Sequence, residues 1–145
     1  MIDGVIIQKL KQIADERGKV MHMLRCDSPL FTKFGEIYFS IVNKGAVKAW
    51  KRHTKMTQHF AVPAGEIRLV LYDNRNGSKS CGDIKIIEIG EDKFSLVRIP
   101  PLVWYGFKGI SSTPSVVVNC TDLPHDPDET ERLNASDKKI PYVWD

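Results

Sequence analysis

Cysteine and long apolar runs are both scarce in this chain of 145 residues. The three cysteines, Cys26, Cys81 and Cys120, lie far apart and form no C-x-x-C pair. This spacing argues against a disulfide framework or a zinc site. Near the start, the only apolar run is residues 5–7, and charged residues flank it. A signal peptide or a membrane-spanning helix needs a longer apolar segment, so we expect a cytoplasmic protein with reduced cysteines and no membrane contact.

An excess of charge of either sign is also missing. The 21 lysines and arginines are interleaved with 18 aspartates and glutamates, which leaves a net charge of +3. Nucleic-acid-binding proteins usually carry a basic cluster, so no nucleic-acid partner is expected, and a local site for a small anion is left open. The length and the hydrophobic content of 42% predict a single domain, residues 1–145, with one core.

The abundant residue types indicate β-strands. Short runs of β-branched and aromatic residues recur, and sequences rich in Asn, Asp and Gly separate them, as hairpin turns require. One short piece, residues 8–16, could be helical or could equally extend a first strand. The pattern predicts an all-β fold, a sandwich or barrel of antiparallel strands. The predicted strands begin at Glu36, Ala46, His59, Glu66, Ile84, Lys93 and Ser115.

The composition changes at about Leu123. The remaining sequence, LPHDPDETERLNASDKKIPYVWD, is rich in proline and charge until its closing aromatic residues. Such a segment cannot build a core of its own, so residues 123–145 are predicted to wrap around the barrel as a polar tail. The acidic DPDET sequence is interpreted as a turn of this tail rather than as a metal-binding loop.

One segment has the spacing of a metal site without its ligands. Gly45 is followed, at the spacing of the first motif of metal-binding cupin barrels, by KRH, Gln58 and a second glycine, and PPLVWY resembles the second motif. Of the four ligand positions only His53 holds a usual metal ligand, because Lys51, Gln58 and Tyr105 occupy the others. We therefore expect a cupin jelly-roll barrel with no metal and no other cofactor, and a metal-dependent oxygenase is disfavoured.

Further motifs resemble the dTDP-4-dehydrorhamnose 3,5-epimerase family, particularly its short, divergent members. In chain order they are DERGKVMHML, GAVKAWKRHTKMT, GEIRLVLYDNR, IPPLVWYGFKG, NCTDLPHDPDETERL and IPYVW. The resemblance implies a metal-free, dimeric barrel that acts on a nucleotide-linked 4-keto-6-deoxy sugar. It also implies that a histidine base removes the proton next to the ketone, that positive charge holds the enolate, and that a tyrosine on the opposite face returns a proton.

The resemblance also assigns roles to positions in this chain. Lys51 stands where the family has its catalytic histidine, and Val118 where it has its tyrosine. Asp137, seven residues before the last tryptophan, matches the aspartate that pairs with that histidine. Arg17 and Lys48 match positions used around the nucleotide phosphates.

The residues themselves leave several roles open. Lys51 could be a base if burial and nearby like charges lowered its pKa, or a fixed positive charge for a phosphate. His53 has the better intrinsic pKa for proton transfer. Among the phenols, Tyr105 has a stronger claim than Tyr72 to replace the missing tyrosine acid. His22 could line the nucleotide end of the site or lie at the surface.

Strand alternation makes a prediction about the segment around these residues. Ala49, Lys51, His53 and Lys55 should share one face, so Lys48 should point away from the interior unless a bulge intervenes. The candidate substrate-binding residues are Arg17, His22, Lys48, Lys55, Gln58 and Tyr72.

These patterns favour an epimerase-like or isomerase-like enzyme with Lys51, His53, Tyr105 and Asp137 as its catalytic residues. The alternative is a catalytically silent cupin that binds a sugar nucleotide, because both family catalytic groups are replaced. A homodimer is expected from the resemblance and from short exposed strands that could pair with a second copy.

Overall fold

The computed structural model describes residues 1–145, and its regular structure consists of twelve β-strands and one single-turn 3-10 helix, Pro127–Glu129. The strands are β1 (Ile6–Lys9), β2 (Gln12–Asp15), β3 (Gly18–Met21), β4 (Glu36–Val42), β5 (Val47–His53), β6 (Gln58–Ala64), β7 (Glu66–Asp73), β8 (Ile84–Gly90), β9 (Ser95–Ile99), β10 (Val103–Gly109), β11 (Ser115–Thr121) and β12 (Thr130–Arg132). No helix has the length and apolar character needed to cross a bilayer.

Two five-stranded sheets form the body of the fold. Their strand orders are β1-β9-β6-β11-β4 and β12-β5-β10-β7-β8, and β2 and β3 form a separate hairpin. The paired strands within each sheet run antiparallel. This arrangement confirms the predicted all-β jelly-roll barrel of antiparallel strands.

The main hydrophobic core lies between the two sheets. Alternate residues of the central strands point into it, among them Leu69 and Leu71 of β7 and Val97 and Ile99 of β9, all with no measurable exposure. A core built from both inner faces is what the alternating pattern of each strand requires. It fills one part of the sandwich and leaves a cavity in the other.

The C-terminal segment lies along the outer face of the second sheet. Trp50 and Trp104 point outward from that sheet and pack with Ile140 of the tail, and the ring of Trp144 lies 5.1 Å from that of Trp50. Tyr72 packs against this outer cluster. The tail thus wraps the barrel as expected, and it also supplies β12, which pairs with β5.

A β-bulge changes which side chains of β5 face inward. Lys51 is the partner of Tyr105 and Lys48 is the partner of Phe107, so β5 has one residue more than β10 between these pairs. Gly106 lies at this irregularity, and a Cβ there would come within 2.5 Å of the Cβ of Ala49. The extra residue turns Lys48 to the same side as Lys51, so this bulge is the exception under which Lys48 was expected to face the interior.

Candidate active site

A cavity of about 710 Å³ opens between the two sheets. Its size suits a small-molecule ligand. The first sheet contributes Tyr38, Ser40, Phe60, Val117 and Asn119, and the second sheet with the tail contributes Val47, Lys48, Ala49, Trp50, Lys51, Tyr105, Phe107, Arg132, Leu133, Asn134 and Asp137.

Lys51 and Tyr105 stand side by side on the second-sheet wall of this cavity. They are directly paired across β5 and β10, so their side chains share one face. Burial lowers the pKa of Lys51, the positive charge of Arg132 lowers it further, and Glu129 acts in the opposite direction. A larger fraction of Lys51 is therefore in the neutral amine form than of a lysine in water.

His53 and Glu129 form a buried pair behind Tyr105. Nδ1 of His53 bonds to the Glu129 carboxylate, and both residues are at most 3% exposed. The hydroxyl of Tyr105 lies 3.5 Å from Nε2 of His53. The other carboxylate oxygen of Glu129 accepts bonds of 3.1 and 3.2 Å from the backbone N–H groups of Lys55 and Met56. The arrangement connects a phenol, an imidazole and a carboxylate in series.

The charge states of this series follow from its surroundings. Burial lowers the pKa of His53, and the bond to Glu129 only partly offsets this effect. Burial alone would raise the pKa of Glu129, but its bonds from His53 and two backbone N–H groups lower it overall. Near neutral pH the imidazole is therefore neutral and donates from Nδ1 to an ionised carboxylate. Nε2 is left as an acceptor for the hydroxyl of Tyr105, whose own pKa burial raises well above its usual value.

Glu129 was missed in the sequence, where DPDET was interpreted only as a turn. The acidic sequence does form a turn, since Asp126 caps the 3-10 helix, but the helix also carries Glu129 into the core beside His53. Asp137 borders the cavity and accepts a bond from the backbone N–H of Lys139. Glu129, and not Asp137, is thus the acid that pairs with a histidine. The tail enters the core at the 3-10 helix that carries Glu129 and lies at the rim of the cavity again at Asp137.

The first-sheet wall carries a second set of polar groups. Asn119 Nδ2 donates to the hydroxyl of Tyr38 at 2.9 Å and to Oε1 of Gln58 at 3.0 Å. Gln58 and Asn119 are both 1% exposed, whereas Tyr38 borders the cavity and is half-buried. Gln58, a candidate for substrate contact, thus lies behind this wall and holds Asn119 in place.

The cavity has a surplus of positive charge. Lys48, Lys51 and Arg132 line it, and Asp137 is its one acidic residue. Nζ of Lys48 donates to the Ser40 hydroxyl at 2.9 Å and so connects the two walls. This electrostatic environment favours a ligand with phosphate groups.

Besides His53 and Gln58, which lie behind the cavity walls, four candidate residues lie away from the cavity. Arg17 is exposed at the β2–β3 turn and pairs with Asp15, and His22 lies in a separate groove near the N-terminal strands. Lys55 is exposed and contributes its backbone N–H to Glu129. Tyr72 faces the outer cluster, because β7 turns Leu69 and Leu71 inward and therefore Tyr72 outward.

The structure contains no group of three or more His, Cys, Asp or Glu residues placed to hold a metal ion.

Comparison with known families gives one match over the whole chain. Residues 1–145 match the family model described as dTDP-4-dehydrorhamnose 3,5-epimerase. The chain belongs to this family. The resemblance noted in the sequence is thereby confirmed.

Three relatives of this epimerase-family chain cover almost all of it. A crystal structure of a dTDP sugar isomerase from Desulfovibrio desulfuricans G20 is 51% identical, with a TM-score of 0.97 over 99% of this chain and 92% of that one. The spore coat polysaccharide biosynthesis protein SpsL of Bacillus subtilis is 33% identical over 99% of this chain and 97% of its own length. The probable low-salt glycan biosynthesis epimerase Agl13 of Haloferax volcanii is 37% identical over 97% of this chain and 88% of its own length.

Within the epimerase family frame, the replaced positions can be located in the structure. Lys51, at the position matched to the family histidine, does line the cavity. Val118, matched to the family tyrosine, does not line it, whereas its neighbours Val117 and Asn119 do. Strand β11 therefore supplies no phenol to the cavity. The two tyrosines that line it are Tyr105 of β10 and Tyr38 of β4.

Proposed function

We propose that this chain is an epimerase or isomerase that acts on a nucleotide-linked 4-keto-6-deoxy sugar by moving a proton next to the ketone. Family membership and the names of the relatives support the substrate class. The observation that carries the proposal is the placement of Lys51, with its lowered pKa, beside Tyr105 in a positively charged cavity. A poised base and positive charge near a developing oxyanion are what such a reaction needs.

Lys51 is the base in this proposal. The neutral amine takes the proton from the carbon next to the ketone, and the C–H electron pair forms a carbon–carbon double bond. The ketone oxygen becomes an enolate oxyanion, and the positive charges of Lys48 and Arg132 stabilise it. Return of a proton to the same carbon restores the ketone.

Tyr105, His53 and Glu129 support this step. His53 is buried and does not line the cavity, so it acts through Tyr105 rather than on the sugar itself. Tyr105 lines the cavity, and with its hydrogen directed to His53 its oxygen lone pairs are left as acceptors. They can accept a bond from Lys51 or from a sugar hydroxyl and so position either group.

A homodimer belongs to the same proposal. The outer face of the edge strand β4 carries Ile37, Phe39 and Ile41, which are 49%, 66% and 51% exposed. A row of exposed apolar residues on one strand favours a protein partner, and a second copy satisfies it. Arg17 lies outside its own cavity and matches a family position around the nucleotide phosphates, so in a dimer it is a candidate to contact the nucleotide bound by the other subunit.

The test is to incubate the protein with dTDP-4-keto-6-deoxyglucose in heavy water and to follow the protons next to the ketone by NMR. We expect deuterium entry well above the rate without enzyme. Lys51→Arg keeps the positive charge but removes the base, because arginine stays protonated. Exchange by this variant should fall by about 10²-fold or more, with ligand binding retained.

A matched lysine outside the site provides the control. Lys79 is exposed in the turn between β7 and β8, so Lys79→Arg should exchange at the wild-type rate. If the wild-type protein binds the nucleotide sugar without any exchange, the silent sugar-nucleotide-binding cupin is the better description. If Lys51→Arg exchanges like the wild-type protein, Lys51 is not the base.

A further inference from the structure

Inversion at a carbon needs proton-transfer groups on both faces of the sugar, and the second group must lie opposite Lys51. Tyr105 does not meet this condition. It is the cross-strand partner of Lys51, so both residues approach a ligand from the second-sheet wall. The group that returns the proton must belong to the first-sheet wall, an argument that rests on the proposed function.

Only two hydroxyl groups line the cavity from that wall, those of Tyr38 and Ser40 on β4. The hydroxyl of Ser40 accepts a bond from Lys48, and an aliphatic hydroxyl is a far weaker acid than a phenol. The other residues of this wall are Phe60, Val117 and Asn119. An aromatic ring, an alkyl group and an amide offer no proton at ordinary pH, so Tyr38 is the candidate.

The hydrogen bonds around Tyr38 leave its own hydrogen free. Asn119 Nδ2 donates to the Tyr38 oxygen, so at this contact Tyr38 is the acceptor. The orientation of the Asn119 amide is fixed by a second bond, from the same nitrogen to Gln58. Because Tyr38 and Asn119 are also cross-strand partners, the backbone holds the two side chains in register. The phenolic O–H can then point into the cavity.

Tyr38 has the protonation state that an acid requires. Burial raises the pKa of its phenol, with the bond from Asn119 acting in the opposite direction, so it is protonated at neutral pH. The bond between Lys48 on one wall and Ser40 on the other shows that side chains reach across the cavity here. Tyr38 is two residues from Ser40 on the same face of β4 and lines the cavity that Lys51 lines from the second sheet, so the two side chains approach a bound sugar from opposite walls.

We propose that Tyr38 is a catalytic acid that returns the proton to the sugar carbon on the face opposite Lys51. Its O–H bond breaks as the new C–H bond forms with the electron pair of the enolate double bond, and the ketone is restored. The resulting phenolate takes a proton from water in the cavity. The proton removed earlier leaves Lys51 to solvent, so each turnover exchanges one proton and inverts one carbon.

The experiment separates exchange from inversion. In heavy water, the wild-type protein should convert the 4-keto sugar to its epimer with deuterium at the inverted carbon. Tyr38→Phe keeps the ring and removes the acid. Lys51 should still remove the proton and return a deuteron to the same face, so exchange should continue while inversion falls by about 10²-fold or more. The readout is the ratio of inverted to exchanged sugar, followed by NMR.

Two more variants make this test specific. Tyr72→Phe removes a phenol on the outer face of the second sheet and should leave the ratio unchanged. Asn119→Ala keeps Tyr38 but removes the bond that orients it, so the ratio should fall to a value between those of the wild-type protein and Tyr38→Phe. Thermal unfolding of each variant checks that its fold is retained.

Each outcome decides a different point. Inversion by Tyr38→Phe at the wild-type ratio would overturn the assignment of Tyr38 and leave the proposed function standing. Equal loss of exchange and inversion in a folded variant would also overturn it, because Tyr38 would then act in proton removal. A wild-type protein that neither exchanges nor inverts the sugar would overturn the proposed function, and this assignment with it.

Discussion

At the scale of single residues, the His53–Glu129 pair connects the chemistry of the site to the stability of the fold. A neutral imidazole beside an ionised carboxylate buries two titratable groups at a low cost in free energy, because each forms a hydrogen bond with the other and only one charge is desolvated. The same pair fixes the direction of the bond from Tyr105. The bond between His53 and Glu129 therefore affects both the orientation of the phenol and, together with the backbone N–H groups of Lys55 and Met56, the ionisation of Glu129.

The lowered pKa of His53 predicts a pH-dependent stability. In the unfolded chain the imidazole titrates near its ordinary value of 6.5, whereas in the folded protein it resists protonation. Below about pH 6.5 the unfolded state binds the extra proton, so the free energy of unfolding should fall as the pH is lowered. The lowered pKa of Glu129 adds a further loss as the pH falls through the ordinary range of a glutamate. Thermal unfolding midpoints between about pH 8 and 5 measure this slope.

His53→Gln removes the titrating group and should flatten the slope between about pH 7 and 5. His22 lies in the separate groove near the N-terminal strands and takes no part in the His53–Glu129 pair, so His22→Gln should keep the wild-type slope. An unchanged slope in His53→Gln would show that other groups cause the acid sensitivity.

At the scale of elements, the C-terminal segment does more than cover the barrel. It supplies Glu129 to the buried pair, Arg132 to the cavity and Ile140 to the outer cluster. The second sheet consequently has buried faces on both sides, one against the main core and one against the tail. Packing of the tail should therefore contribute to the stability of the strands that carry Lys51 and Tyr105.

Ile140→Ala tests this contribution. Ile140 is 2% exposed and packs with Trp50, Val70 and Trp104, so truncation leaves a cavity and should lower the free energy of unfolding by about 2–5 kcal/mol. Urea denaturation measures the change. Val143 is 88% exposed in the same segment, and Val143→Ala should have almost no effect. Similar stability of the two variants would mean that the tail is only loosely held.

The strands could be predicted because their residues are periodic and their ends carry turn signals. β4, β7 and β11 begin at the predicted residues Glu36, Glu66 and Ser115. The frame of the cupin motif likewise identified Lys51 and Tyr105 as inward-facing. Strand ends and motif spacing depend on residues that are close together in the chain, so the local sequence is enough to predict them.

The parts of the site that could not be predicted depend on tertiary structure. Lys48 could be named as a candidate only by resemblance, because its place in the cavity depends on a bulge and on close packing at Gly106. Glu129 meets His53 only because a turn in the tail enters the core, and Tyr72 lies outside the cavity because β7 has its other face inside. No local pattern specifies these relations, since each is set by an element distant in sequence.

At the scale of the whole molecule, the surface of β4 predicts the oligomeric state. Tyr38 and Ser40 point into the cavity, so the alternate residues Ile37, Phe39 and Ile41 point outward. The β2–β3 hairpin also exposes apolar side chains, since Ile13 is 48% exposed and Val20 is 58% exposed. Such surfaces are costly in contact with water and favour association. The strand that carries the proposed acid Tyr38 would then also be the strand that holds the dimer together.

We expect the wild-type protein to have twice the chain mass of 16.5 kDa by light scattering at micromolar concentration. Phe39→Lys combined with Ile41→Lys places two charges on each subunit at this face and should give a monomer, because like charges would be buried without partners. Ile86→Lys is the matched control, since Ile86 is 48% exposed on the edge strand β8 of the other sheet. A double variant that stays dimeric would place the interface elsewhere, and a monomeric wild-type protein would refute the dimer. If the double variant is monomeric and folded but loses affinity for the nucleotide sugar, residues of the second subunit, with Arg17 as the first candidate, complete the binding site.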